Sequence, residues 1–250
     1  MTAPPLGRYA YGVGVMALGV ACLATADFVV AQPLPKDFAH RAALAFAAAA
    51  FLLVTGAAIE WRRTVAHAAA ALVVFYAAAV ALVDGPALVA SYAVYATYSG
   101  IAEQVAIMAA ALIVHAASAN IDAARAARLT RIGRIAFGVC ALLFGGAHFV
   151  YIDFTVPWVP KYLPPSQAFW AYATGVAHIA AGLAILTGVQ ARLAAILLTI
   201  MYASFTPLVH LPMLLAHPAS HANWTENAIN LALTGAAWVV ADSFARMRRA

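Results

Sequence analysis

Apolar runs of about 20 residues follow one another along almost the whole chain, the length that a hydrocarbon core roughly 30 Å thick requires of a helix. In lipid the backbone must satisfy its own hydrogen bonds, so such runs are read as membrane-spanning helices. Composition agrees: 66% of the 250 residues are hydrophobic and 9% charged, against about 25% charged in soluble domains. Bounded by charge, proline or polar clusters, the runs predict eight helices near 8–30, 40–59, 64–83, 99–118, 134–156, 166–188, 192–216 and 224–244. The expected fold is all-α, a polytopic membrane protein. The stretch from Gly85 to Tyr98, apolar and aromatic, reads as interfacial or membrane-embedded.

The net charge of +5 does not point to nucleic acid, because the arginines sit in short clusters between apolar runs. With the N-terminus inside, the inner segments hold Arg8, Arg62, Arg63, Arg125, Arg128, Arg131, Arg134, Arg192, Arg246, Arg248 and Arg249, and the outer ones only Lys36, Arg41 and Lys161. That asymmetry predicts both termini in the cytoplasm. Ala24-Thr25-Ala26 after an apolar run resembles a signal-peptide cleavage site. Losing that helix would degrade the charge asymmetry, so the run is expected to stay as a helix.

Gly7-Arg8-Tyr9-Ala10-Tyr11-Gly12-Val13 lies on Gly133-Arg134-Ile135-Ala136-Phe137-Gly138-Val139. The same offset puts Gly19 on Gly145, Cys22 on His148 and Asp27-Phe28 on Asp153-Phe154. Thr55-Gly56 on Thr187-Gly188 and Glu103 on Glu226 follow with small shifts. Self-similarity of this kind predicts two tandem four-helix bundle repeats, residues 1–125 and 126–250, in the same orientation.

Ionisable groups inside hydrocarbon are expensive and by default mark function. They concentrate in the second repeat. His148 falls roughly 21 Å along its helix from Arg134, on a stripe with Gly138, Ala141 and Gly145. His178 shares a stripe with Ala171, Gly175 and Gly182. The next helix passes Tyr202, Pro207 and His210, and the last begins near Trp224 with Glu226, Asn227, Asn230 and Thr234. His148, His178, His210 and Glu226 therefore suggest a transition-metal site, with Tyr202 and Asn230 beside it. A histidine pair also suits haem iron. A quinone pocket is a third reading, with a neutral imidazole donating to a quinone oxygen. The bland alternatives are that Asn223 and Glu226 form a capping box, and that His148 and His178 are interhelical glue worth about 0.6–2 kcal/mol each. His217 and His221 fall near the outer surface, Asp27 and Asp153 at helix ends. Cys22 and Cys140 lie in apolar runs with no ligand-spaced partner. Tyr151 to Pro165, rich in aromatics and proline, reads as an interfacial belt or as the lid of a lateral entrance.

Gly145-Gly146-Ala147-His148-Phe149, Val159-Pro160-Lys161-Tyr162-Leu163-Pro164-Pro165, Phe169-Trp170 and Thr174-Gly175-Val176-Ala177-His178-Ile179-Ala180-Ala181-Gly182-Leu183-Ala184 resemble the DoxX family of small bacterial membrane proteins. The resemblance covers roughly residues 130–245. It implies a four-helix unit, here duplicated, a bacterial inner-membrane location, and a broad association with quinone-linked redox complexes. Many members carry a carboxylate at the position of His178, so no catalytic role is carried over. The expectation is a protein of the lipid bilayer linked to quinone- or metal-based redox chemistry at the outer side, with quinone and other membrane redox subunits as partners. The competing class is a transporter or scaffold whose histidines are structural.

Overall fold

The computed structural model describes residues 6–29 and 34–247. Arg248, Arg249 and the expected end of the first helix at residue 30 lie outside the described residues. Every regular element among the described residues is helical. Eight helices are long and apolar enough to cross a bilayer: α1 Leu6–Thr25, α2 Arg41–Glu60, α3 Val65–Ala90, α4 Tyr95–Ser118, α5 Ala123–Val150, α6 Gln167–Thr187, α7 Ala191–Ala216 and α8 His221–Met247. Val54, Val74, Leu82, Val176 and Ile200 point outward from them. Such side chains would be a liability in water and are at home in lipid.

The helix ends follow local chemistry. Asp122 starts α5 by accepting from the Arg125 amide at 2.8 Å. The helix therefore begins well before residue 134, and the arginine-rich stretch is its first turns rather than a loop. Ser166 caps α6 by accepting from the Phe169 amide at 3.2 Å, and Gly188, at φ +80°, ends it in the left-handed conformation that glycine tolerates. α3 continues through a π turn, Val80–Asp84, to Ala90, so most of the ambiguous Gly85–Tyr98 stretch is helical, broken between Ser91 and Val94. A second π turn, Thr206–His210, interrupts α7.

Neighbours in sequence pack in space from α1 round to α8, and α1 closes the circle against α8. α4 and α8 also pack on each other through the middle. The first helix of each half leans on the last helix of the other: α1 on α8, and α5 on α4. Small residues allow this. A Cβ on Gly14 would lie 2.5 Å from the Ala232 Cα, and one on Gly133 would lie 2.8 Å from the Ala109 carbonyl. Within the halves, a Cβ on Gly56 would lie 2.9 Å from the Gly12 carbonyl and one on Gly182 2.8 Å from the Gly138 carbonyl. Polar contacts tie the halves further. The Gly7 amide donates to Asp242 at 3.0 Å and Tyr95 to Leu143 O at 2.9 Å, while within the first half Tyr11 donates to Ile107 O at 2.9 Å.

Starts of elements recur at one spacing. Arg41 and Gln167, Val65 and Ala191, Val80 and Thr206, Gly85 and Leu211, and Tyr95 and His221 each stand 126 residues apart.

Gly14→Val is expected to lower the unfolding midpoint in detergent, at a cost of at least about 1–3 kcal/mol, because the new side chain meets backbone. Gly85→Ala, where only the Val80 carbonyl lies within reach at 3.6 Å, is expected to leave the midpoint unchanged or slightly raised. Equal losses in the two variants would contradict the close α1–α8 approach.

Candidate functional site

Three of the polar residues expected from the sequence come together. His148 on α5 and His178 on α6 have ring centroids 5.0 Å apart, and the His178 ring stands 5.4 Å from Tyr202 on α7. Small residues bring the two histidine-bearing helices this close: a Cβ on Gly175 would lie 2.8 Å from the His148 Cβ, and one on Gly145 would lie 2.8 Å from the Gly175 carbonyl. Phe144 closes the other side of His178 at 6.2 Å. His178 and Tyr202 are 2% and 3% exposed, whereas His148 is half-buried.

The hydrogen bonds fix the chemistry of the imidazoles. His148 Nδ1 donates to the Phe144 carbonyl at 2.9 Å and His178 Nδ1 to the Thr174 carbonyl at 2.7 Å. A carbonyl oxygen only accepts, so the proton sits on Nδ1, and in the neutral ring Nε2 presents a lone pair. This is the tautomer opposite to an imidazole that donates from Nε2 to a quinone oxygen. The Tyr202 hydroxyl is buried with no hydrogen-bond partner. It is the one donor beside the imidazoles that packing has not used.

Asn230 stands next to this group in a supporting position. Its side-chain amide donates to Tyr202 O at 3.0 Å and to the Thr206 hydroxyl at 2.8 Å. A π turn leaves helix carbonyls without their usual partner, and Pro207 has no N–H to give. Asn230 fills that gap and thereby holds the α7 segment that carries Tyr202. In the first half, Gln104 donates to the Asp84 carboxylate at 2.6 Å, beside the other π turn, and both residues are buried.

The remaining expected residues lie elsewhere. His210, in the π turn, packs edge-on against Trp158 at 6.1 Å, and its Nδ1 is buried without a partner. Glu226 lies on α8 and Glu103 on α4, helices that pack on each other at the centre of the bundle. His221 Nε2 donates to the Phe28 carbonyl at 2.7 Å, fastening the start of α8 to the end of α1. The expected capping box is absent. α8 starts at His221, three residues earlier than the sequence suggests, the Ser220 hydroxyl accepts from the Asn223 amide at 3.3 Å, and Asn223 donates to Met213 O at 3.0 Å. The segment after α5 folds into a helical turn, Ile152–Thr155, and a 3-10 turn, Val156–Trp158, pinned by Gln167 to Val156 O at 3.3 Å and by Trp170 to Pro164 O at 2.8 Å.

Among the described residues, no three His, Cys, Asp or Glu side chains gather closely enough to hold a metal ion. The haem reading fails on spacing at the histidine pair. Imidazoles on opposite faces of one iron stand on the order of 6 Å apart, with metal–nitrogen bonds of about 2 Å on each side and a flat ring between them. At 5.0 Å the two rings are too close for that. Glu103 was legible only as a repeat marker. A carboxylate inside an apolar helix is the sequence signal that singles it out.

Residues 129–211 match the DoxX family model. That segment of the helical membrane architecture is similar to the DoxX family. The DoxX match runs from the start of α5 through α6 to the end of the π turn in α7, and so takes in His148, His178, Tyr202 and His210. No curated protein and no solved structure matches the chain.

Asn230→Leu is expected to destabilise the protein by about 1–3 kcal/mol, since it strands the Tyr202 carbonyl. Tyr202→Phe removes a hydroxyl without a partner and is expected to stay within about 0.5 kcal/mol of the parent. Thermal unfolding of both variants in detergent checks the contrast; a large loss for Tyr202→Phe would mean that the hydroxyl is part of the packing.

Proposed function

We propose that this DoxX-like protein binds a lipophilic hydroquinone in the outer half of the cytoplasmic membrane and serves quinone-linked redox chemistry there. The observation that carries the reading is the pair of imidazoles with Nδ1 bound to the helix and both Nε2 lone pairs unspent, beside the idle hydroxyl of Tyr202. A hydroquinone carries two O–H donors and oxygens that also accept. Imidazole Nε2 would accept from its hydroxyls, and Tyr202 would donate to an oxygen. Phe144 offers an apolar wall, and the half-exposure of His148 next to the exposed Phe149 favours entry from the lipid side. Other membrane redox subunits are the natural partners in this reading.

A second reading keeps the protein as a non-enzymatic scaffold or transporter. It is favoured by the fact that both imidazoles bond carbonyls of their own helices, as structural histidines do.

The inner-membrane location with both termini in the cytoplasm is part of the same proposal and rests on the arginine asymmetry. So is a duplicated origin, supported by the constant spacing of 126 residues between element starts. On that alignment Tyr76 corresponds to Tyr202, Gln104 to Asn230, Asp84 to His210 and Cys22 to His148. The first half would then have kept the scaffold and lost the imidazole pair.

Quenching of tryptophan fluorescence by a short-chain ubiquinol tests the function. Saturable binding, tighter for the quinol than for the quinone and weakened at least tenfold in a His148→Ala/His178→Ala variant, is the expected result. Equal binding by parent and variant would favour the scaffold. For the topology, Arg62→Cys and Lys161→Cys are placed one at a time in a Cys22→Ala/Cys140→Ala background. A membrane-impermeant thiol reagent applied to intact cells should label position 161 and spare position 62; the reverse pattern would invert the orientation.

A further inference from the structure

A groove of about 480 Å³ lies where α6 turns into α7 and the end of α8 passes beside them. That volume falls within the roughly 300–1,000 Å³ of sites that take small molecules. Gly188 forms part of the wall, and a Cβ there would meet nothing within 4 Å, so the turn leaves the space open. Gln190 and Arg192 are the polar side chains of the lining, Leu193, Ile196 and Phe244 the large apolar ones, and no acidic residue lines it.

Two cations belong to this place. Arg192 is exposed at the mouth. The guanidinium of Arg134 lies 4.0 Å from the centroid of the Phe244 ring, held by Ser243, whose hydroxyl accepts from Nε at 2.9 Å and whose carbonyl accepts from a terminal nitrogen at 2.6 Å. Leu193, Ile196, Leu197 and Ile200 then run on from the groove as one exposed row, three and four residues apart along α7. Ile200 lies roughly 12 Å along the helix from Arg192, so the row leads from the charged mouth toward the middle of the bilayer. A soluble anion would meet only the mouth, and a neutral lipid only the row.

We propose that this groove binds one anionic phospholipid, with the phosphate at Arg192 and an acyl chain laid along Leu193, Leu197 and Ile200. Basic pockets between membrane helices select acidic headgroups by charge, and the Gln190 amide can donate to a headgroup oxygen. The site uses none of the residues of the hydroquinone reading and stands apart from it.

The full-length protein in detergent is titrated with dioleoylphosphatidylglycerol and, separately, with dioleoylphosphatidylcholine and with glycerol 3-phosphate. Native mass spectrometry counts the bound molecules while the unfolding midpoint is followed. The expected result is one phosphatidylglycerol per chain, held in preference to phosphatidylcholine, with a midpoint that rises as the site fills. Arg192→Gln should weaken that binding by about fivefold, the effect of one arginine at an acidic headgroup. Because Arg192 is exposed, the lipid-free midpoint of this variant should match the parent's. Ile196→Trp, which fills the groove from a lipid-facing position, should weaken binding as well. Arg62→Gln, exposed on the α2–α3 turn at the same end of the bundle, should leave it unchanged, as should His148→Ala/His178→Ala. Equal retention of the two lipids, or equal losses in Arg192→Gln and Arg62→Gln, would overturn the proposal, because the attraction would then be diffuse. Binding of glycerol 3-phosphate as tight as that of the lipid would overturn the lipid assignment.

Discussion

α1 reaches α8 at backbone distance, and the closed arrangement depends on that contact. With water absent from the hydrocarbon there is no hydrophobic drive to bring one apolar helix to another, so association rests on close packing and a few hydrogen bonds. Gly7, Gly14 and Gly235 supply the closeness, and the bond from the Gly7 amide to Asp242 anchors one end. Because the first helix seals against the last, α4 and α8 are held in the middle. The two halves share a single core, and Tyr95 of α4 reaches the Leu143 carbonyl of α5 across them.

Polar groups in this core fall into those the fold has used and those it has left over. Asn230 and Gln104 are spent on π turns, at places where the helix backbone fails to satisfy itself. His148 and His178 are half spent, Nδ1 on the helix and Nε2 on nothing within it. The Tyr202 hydroxyl is unspent. Such a group costs free energy unless something arrives to meet it, which is why the unspent atoms, rather than the buried polar residues as a class, mark the hydroquinone site proposed above. The imidazole lone pairs beside Tyr202 suit a hydroxylated ring.

Most of the scaffold was legible in the sequence. Run length and charge located the eight helices, because lipid permits little else, and the glycine stripes of α5 and α6 foretold that His148 and His178 would meet. The misreadings share a physical reason. Arg125 to Arg131 fall outside the expected helix because charge bounded the apolar run, yet α5 needs only its central part to be apolar. Glu226 looked like a cap because Asn223 precedes it, but a cap requires the helix to start there, and Ser220 starts it sooner. His210 was grouped with the other histidines by depth alone; its direction around α7 was set by a π turn that no periodicity marks.

By itself, then, the sequence determined the medium, the number of crossings and the apolar stripes, since these are properties of single segments weighed against lipid. Tertiary structure alone decided which helices of the two halves touch, which tautomer each histidine holds, and that Tyr202 stands beside His178. Those depend on distances between segments far apart in the chain, and on which backbone carbonyls remain free once the helices have packed.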